Sequence, residues 1–168
     1  MNIRSFLIIF AMSSLLHSEE NFGIVVHGGA GVMSGLSEER QQQIHKKIQE
    51  TVSEAYEILE KGGSSFDAVE LAVSMLEDSS LFNAGRGSVY NSDEVQEMDA
   101  SIMDGKNRLS GAVASVSTVK NPIKLARKVA EETKHVLLVG EGAERFARDI
   151  GVDIVDRNYF YHEERLKR

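Results

Sequence analysis

A chain of 168 residues is long enough to bury a sizeable core and short enough to form one domain. Its 42% hydrophobic and 27% charged content fits a globular protein rather than a disordered one. The formal charge of −7 argues against a nucleic-acid partner, which needs a basic stripe, and the absence of Cys excludes disulfides, thiolate zinc sites and cysteine nucleophiles.

Residues 1–18 read as an export signal. Arg4 gives a positive start, and the apolar run Phe6 to Leu16 is short of the roughly 20 residues a spanning helix needs. Leu16-His17-Ser18 offers a small residue for cleavage. The expected product is periplasmic or secreted, free of the membrane once the signal is removed.

Residues 19–157 then read as the folded body. Ile24, Val25 and Val26 form a continuous apolar run, so Gly23 to His27 predicts a short buried strand, and His27-Gly28-Gly29-Ala30-Gly31 a tight turn after it. Ser37 is a good N-cap, with Glu38 and Glu39 suited to the helix dipole. The helix it starts carries Ile44, Ile48, Val52, Ala55 and Leu59 on one face and ends at Gly62-Gly63. Ser64, with Asp67 three residues on, predicts a second helix whose buried stripe is Val69, Ala72, Val73 and Leu76. Leu76 to Ser88 follows as a loop rich in Gly, Ser and Asn. Such residues let a chain turn sharply and aim its own carbonyls and amides inward.

Val95–Met103 and Leu109–Val119 read as strands joined by a hairpin turn at Asp104-Gly105-Lys106-Asn107. The small residues Gly111, Ala112, Ala114 and Ser115 imply that something packs very close to the second strand. Asn121 is the expected cap of a helix with Pro122 at its first position, and Leu125, Val129 and Ala130 form its apolar side. His135 to Gly140 reads as another buried strand, Glu141 to Ile150 as a helix closed by Gly151, and residues 158–168 as the start of a polar linker. This order of helices and strands fits a layered α/β or α+β sheet protein.

His27, after a strand and beside glycines, has no Ser, Cys or paired acid near it in sequence, so a packed, hydrogen-bonded role outweighs a general-base role. Gly29-Ala30-Gly31-Val32-Met33-Ser34 approaches G-x-G-x-x-G but has Ser at the third position and no acid at the end of a second strand, which a dinucleotide site requires. Asp99 reads as structural support and Asp104 as a turn residue. Asn83 is either a turn-former bonded to its own backbone or a site residue, and Glu77 and Asp78 read by themselves as a solvated helix end.

The run Leu81-Phe82-Asn83-Ala84-Gly85-Arg86-Gly87 resembles the loop of the plant-type L-asparaginase/isoaspartyl peptidase family, which are N-terminal-nucleophile hydrolases. His27-Gly28-Gly29-Ala30-Gly31 stands upstream of it. Downstream stand Glu97-Met98-Asp99-Ala100-Ser101-Ile102-Met103-Asp104-Gly105, Gly111-Ala112-Val113-Ala114, Asn121-Pro122 and Gly140-Glu141-Gly142-Ala143-Glu144. The order and spacing of these motifs make the match specific over roughly Gly23 to Asp156. The resemblance implies a four-layer αββα sandwich. It also implies a sodium ion bound by the backbone carbonyls of Leu76, Glu77, Ser79, Phe82, Ala84 and Arg86, which fits the preference of hard cations for oxygen. By the same resemblance Asn83 lies beside the active site and supports groups that stabilise negative charge, and His27, Gly28 and Gly29 support autoproteolysis and the site structurally. No cofactor is implied for catalysis, and no role is assigned to the Arg86 side chain.

The family's reaction uses a Thr freed as a new N-terminus by autoproteolysis, its hydroxyl attacking the side-chain amide of L-asparagine or an isoaspartyl bond and its own amine taking the proton. That Thr precedes Val-Gly at the start of a strand. The three threonines here, Thr51, Thr118 and Thr133, do not match that context. The expectation is therefore the α part of such a hydrolase, inactive alone, completed by a β subunit and assembled as (αβ)2. The other reading is a non-catalytic exported α/β module that binds a ligand or partner through the Leu76–Ser88 loop.

Overall fold

The computed structural model describes residues 22–31 and 35–166, so the expected export signal lies outside the described residues. Helix α1 (Glu38–Glu60) starts as expected: the Ser37 hydroxyl accepts the Arg40 amide at 3.2 Å, with Glu38 and Glu39 in the first turn. It closes at Gly62-Gly63, where the Gly63 amide reaches back to the Ile58 carbonyl at 2.8 Å. Helix α2 (Ser65–Glu77) is capped by Ser64, whose hydroxyl accepts the Asp67 amide at 3.1 Å and donates to the Asp67 carboxylate at 2.6 Å. The two helices meet along Ala55, Ala68 and Ala72, small residues that let their backbones approach.

The sheet is three-stranded and mixed. Strand β1 (Met98–Asp104) pairs antiparallel with β2 (Leu109–Val116), and β2 pairs parallel with β3 (Leu137–Val139). A parallel pair needs a crossover, and helix α3 (Pro122–Glu132) supplies it. The hairpin turn forms where expected, with Asp104 Oδ1 accepting the Lys106 amide at 2.9 Å. The β1–β2 register slips between Met98 and Ala100, and Ser115 on β2 takes up the extra residue at φ 57°. Two acids hold that bulge: Asp99 Oδ1 accepts the Ser115 amide at 2.8 Å, and Glu97 Oε1 accepts the Ser115 hydroxyl at 2.5 Å.

Helix α3 lies directly on β2. Gly111 is the contact, since a side chain there would run into the Ala126 carbonyl and the Ala130 backbone. The core is built between these layers: Val113, Val116, Val119, Leu125 and Val129 are fully buried, and Phe160 joins them from the C-terminal end. Burial of a side chain of this kind contributes about 1.5–3 kcal/mol. Helix α4 (Gly140–Asp149) adds Ala143 and Ala147 to the same core. Arg127 of α3 ties it to α2, bonding Asp67 at 2.7 Å and Glu70 at 2.9 Å while its guanidinium lies over the Phe66 ring. The C-terminal residues expected as a linker carry a 3-10 turn at Arg157–Tyr159 and the short helix α5 (Glu163–Leu166).

Several local expectations are corrected. Gly23 to His27 forms no strand, because among the described residues no neighbour pairs with it; Ile24 and Val26 lean on the α1–α2 seam and Val25 is 95% exposed. Strand β1 starts at Met98, not Val95, and β2 ends at Val116, with Val119 making an isolated bridge to Ile154. The third strand is not buried. Val136, Leu137 and Val139 are 62%, 50% and 53% exposed, since helices cover only the other face of the sheet. Val69 is 37% exposed, because Phe66, Ala68 and Ala72 make the contacts of α2 instead. Asn121 makes no side-chain cap on α3.

Candidate functional site

The cap that Asn121 does not provide comes from the end of α2. Glu77 is buried, and its Oε1 accepts the Ile123 amide of the first turn of α3 at 3.0 Å. An anion at a helix N-terminus is electrostatically favoured. Desolvation nevertheless dominates and pushes the Glu77 carboxyl up to about 8, with the Ile123 amide and Asn121 opposing it. Glu77 Oε2 and Asn121 Oδ1 are buried without a partner among the described residues. Asn121 instead donates to Asp78 at 3.1 Å. The helix end that reads as solvated thus holds one buried acid, Glu77, and one exposed acid, Asp78.

Glu77 opens the Leu76–Ser88 loop, which folds back on itself. Gly85 sits at φ 48° against the Glu77 carbonyl and Cβ, and Gly87 sits against the Phe82 carbonyl, so neither position has room for a side chain. Asn83 Oδ1 accepts the Val89 amide at 2.9 Å and closes the loop, while its side-chain NH2 donates to no described residue. Gln96 reaches in from the strand side and donates to the Ser88 carbonyl at 2.8 Å. The C-terminal segment holds the outside. The Arg86 guanidinium lies 5.7 Å from the Tyr159 ring centroid, the Tyr159 hydroxyl is 3.5 Å from Asp78 Oδ1, and Arg165 Nη2 donates to the Leu81 carbonyl at 3.4 Å.

The carbonyls expected to bind an ion divide into two sets. Those of Glu77, Ser79, Phe82 and Arg86 accept no hydrogen bond from the described residues, whereas the Leu76 carbonyl takes the Ser79 amide and the Ala84 carbonyl takes the Gly87 amide. Four unbonded carbonyls on one short loop are a donor set of the type a hard cation takes.

The loop faces the His27–Gly31 turn across a cavity of about 680 Å3. His27, Gly28 and Gly29 line it from one side and Leu76, Phe82, Asn83 and Ala84 from the other, so two motifs some fifty positions apart in sequence share one site. Gly28 packs on the Phe82 ring and the Ile48 side chain, a contact that any larger residue would crowd. His27 is exposed, and its Nδ1 accepts the Gly29 amide at 3.1 Å, which fixes the turn. With Nδ1 accepting, the neutral ring carries its proton on Nε2.

Comparison with known proteins fits this arrangement. Residues 20–168 match the family model described as Asparaginase. The chain belongs to the asparaginase family. It is 52% identical over 129 residues to the isoaspartyl peptidase/L-asparaginase of Rattus norvegicus, covering 77% of this chain and 38% of that protein. It is 52% identical over 145 residues to the plant-type L-asparaginase of Pyrococcus furiosus, covering 86% and 45%, and 44% identical over 144 residues to a putative isoaspartyl peptidase/L-asparaginase of Dictyostelium discoideum, covering 84% and 42%. The chain therefore spans about two fifths of the length of these relatives.

The α/β class is what an asparaginase-family sequence implies, and helices on a mixed sheet are what the chain forms. Asp99 and Asp104 lie away from the cavity, at the bulge and the hairpin turn. Two site features escape sequence reasoning. The Glu77 side chain anchors the loop to α3, whereas the family motif points only to its backbone carbonyl. Glu144, within the Gly140–Glu144 motif, is buried, and its Oε1 accepts the Ser117 amide at 2.7 Å and the Thr118 amide at 2.9 Å. Burial raises the Glu144 carboxyl, but the Ser117 and Thr118 bonds outweigh it and leave the carboxyl below its ordinary value. A Glu inside an otherwise apolar helix face, shortly after a strand, is the one sequence signal for it.

Proposed function

We propose that this chain is the part of an isoaspartyl peptidase/L-asparaginase that builds the scaffold of the site, and that the nucleophilic Thr comes from polypeptide outside these 168 residues. The observation that carries the reading is where the threonines lie. Thr51 is buried in α1 and bonds the Lys47 carbonyl at 2.8 Å, Thr133 bonds the Val129 carbonyl at 2.8 Å, and the Thr118 amide is held by Glu144; none lines the cavity. The span of about two fifths of the relatives supports the same view.

In the complete enzyme, an N-terminal Thr hydroxyl attacks the side-chain amide of L-asparagine or the β-aspartyl bond of a dipeptide, and its own amine takes the proton and passes it to the leaving nitrogen. Donors fixed before the reaction stabilise the oxyanion. In this reading Asn83 supports that function; its Oδ1 accepts the Val89 amide and it lines the cavity. A sodium ion on the carbonyls of Leu76, Glu77, Ser79, Phe82, Ala84 and Arg86 would satisfy the unbonded ones and stiffen the loop that carries Asn83. The uncovered sheet face, with Met103, Leu137 and Val139 at least half exposed, is the surface a β subunit would cover to complete the four layers and an (αβ)2 assembly.

The test is hydrolysis of L-asparagine and β-aspartyl dipeptides. The purified chain alone is expected to release no ammonia or aspartate, and a chain extended with a Thr-Val-Gly half is expected to do so. Turnover by the chain alone overturns the reading. Failure of every extended form supports a non-catalytic binding module instead.

A further inference from the structure

Asp104 is the last residue of β1, and Gly105 opens the hairpin turn after it. Every other Asp of the chain is followed by a residue with a side chain. The turn is exposed from Gly105 to Arg108, and a Cβ placed at Gly105 would meet nothing within 4 Å. The Gly105 amide donates to no described residue. The Asp104 Oδ1 accepts the Lys106 amide at 2.9 Å, which closes a ring around the Gly105 peptide unit and keeps the carboxyl beside it. A carboxyl, an unbonded amide nitrogen and a residue of wide conformational range thus stand together at the solvent edge of the sheet, away from the large cavity.

Asn91-Ser92 is a contrast within the same molecule. An Asn before a small residue is subject to the same ring closure, with loss of ammonia instead of water. Asn91, however, is pinned by three bonds. Its Oδ1 accepts the Asp93 amide at 2.9 Å and the Val95 amide at 3.0 Å, and its Nδ2 donates to Glu97 Oε2 at 2.9 Å. The Asp104 carboxyl has one bond, to an exposed amide of its own turn.

We propose that Asp104-Gly105 is a site of spontaneous isoaspartate formation in the folded chain. The Gly105 nitrogen attacks Asp104 Cγ. A C–N bond forms, the C–O bond of the protonated carboxyl breaks, and its hydroxyl leaves with the amide proton as one water, giving a five-membered succinimide. Water then adds back. Breaking the bond from nitrogen to Cγ restores aspartate, whereas breaking the bond from nitrogen to the Asp104 carbonyl carbon leaves the peptide running through Cγ. The net change is an isomerisation that needs no oxidant or reductant. Closure requires the Gly105 nitrogen to swing toward Cγ, and a residue without Cβ allows this over the widest range of φ and ψ. The product adds one carbon to the main chain and removes the Lys106 acceptor at the Asp104–Leu109 pair, the hairpin end of the β1–β2 ladder. It also leaves a free α-carboxylate on the exposed turn, the group that an isoaspartyl carboxyl methyltransferase modifies.

The experiment incubates the whole chain at neutral pH and physiological temperature for several weeks. Isoaspartate is read by enzymatic carboxyl methylation and located by peptide mapping. It is expected to accumulate at Asp104 ahead of every other Asp and of Asn91, and to be absent from that position in Asp104→Glu, whose ring would be six-membered. Gly105→Ala is expected to slow the reaction by about tenfold. Alanine fits there, since Gly105 has no positive φ and open space around it. A parallel incubation in guanidinium chloride releases Asn91 from its three bonds, and reaction at Asn91 is expected to rise there while it stays low in the folded chain. No isoaspartate at Asp104 in the folded chain, an equal rate in Gly105→Ala, or faster reaction at Asn91 than at Asp104 in the folded chain overturns the proposal. No readout depends on hydrolase activity, so its failure and that of the hydrolase reading are separate results.

Discussion

The two faces of the sheet are opposites. On one, α3 and α4 bury Val113, Val116, Leu125 and Val129 completely, and the closest approach is met by a residue without a side chain, Gly111. On the other, Met103, Leu137 and Val139 stand half exposed or more, and strand β3 has its outer edge free of any described neighbour. The first face is finished by this chain's own elements. The second carries the same kind of apolar residues but has no described element over it, and the segment 23–27, which reads as a strand, has no ladder to join. The lesson is that apolar pattern can mark a segment as strand-like without specifying a neighbour that pairs with it.

Neighbouring residues of β2 give the largest test of that contrast. Gly111→Val drives a side chain into the α3 backbone and is expected to cost more than about 3 kcal/mol, because backbone cannot move aside as a side chain can. Ala112→Val, one residue on and facing the open side, is expected to change the stability of the chain alone by less than about 0.5 kcal/mol. Urea denaturation of both variants measures the difference. Equal costs would mean that the two faces are not distinct in the way described.

Two buried glutamates, one beneath the finished face and one at the start of the loop, sharpen the comparison. Glu144 belongs to the finished face and accepts two amides; Glu77 belongs to the loop end and accepts one. Glu144→Ala leaves both amides without an acceptor and is expected to cost about 2–3 kcal/mol. Their pH signatures have opposite signs. The Glu144 carboxyl lies below its ordinary 4.5 in the folded chain, so its contribution is present above that value and fades as pH falls through the lower folded value. Glu77 is raised from 4.5 to about 8, so the folded state favours its protonated form, and stability is lost as pH rises from 4.5 through about 8. Glu77→Gln is expected to flatten that decline and leave the acid limb intact, as read from urea midpoints between pH 3 and pH 9. A parallel pH profile in the unaltered and Glu77→Gln chains would show that the burial of this carboxyl carries no such linkage.

What is legible in the sequence follows the same line. The ends of α1 and α2 are set by Ser37, Gly62, Ser64 and their immediate neighbours, and these local signals place the helices within a residue or two. The close packing on Gly111 is readable because a run of small residues on a strand leaves space that only a near neighbour can fill. The family loop and the His27 turn are readable as motifs, but their meeting across one cavity is not, since that depends on how α1 packs on α2. Asn121 resembles a cap because Asn often is one, yet the Ile123 amide is taken by a carboxylate 46 positions away, Glu77. Val69 and β3 read as buried because apolar pattern tells which residues can be covered and not which neighbour is present to cover them.

The smallest expected effect concerns the loop itself, which lies between the two regimes. Asn83 closes it from within through Val89, and Tyr159 touches it from without through Arg86 and Asp78. Asn83→Ala removes one acceptor from an exposed amide and is expected to cost about 1 kcal/mol. Arg86→Ala removes an exposed cation–π contact and is expected to cost about 0.5 kcal/mol. Both leave the α3 core untouched, so global unfolding hardly registers them. Amide hydrogen exchange does, because local opening is governed by local bonds. The amides of Leu81 to Ser88 are expected to exchange faster in both variants, more so in Asn83→Ala, with Val113 and Val129 unchanged. If sodium binds the loop carbonyls, replacing sodium with tetramethylammonium speeds exchange over the same residues in the unaltered chain. Exchange that is indifferent to the cation would assign the stiffness of the loop to Asn83, Gln96 and the Tyr159 contact alone.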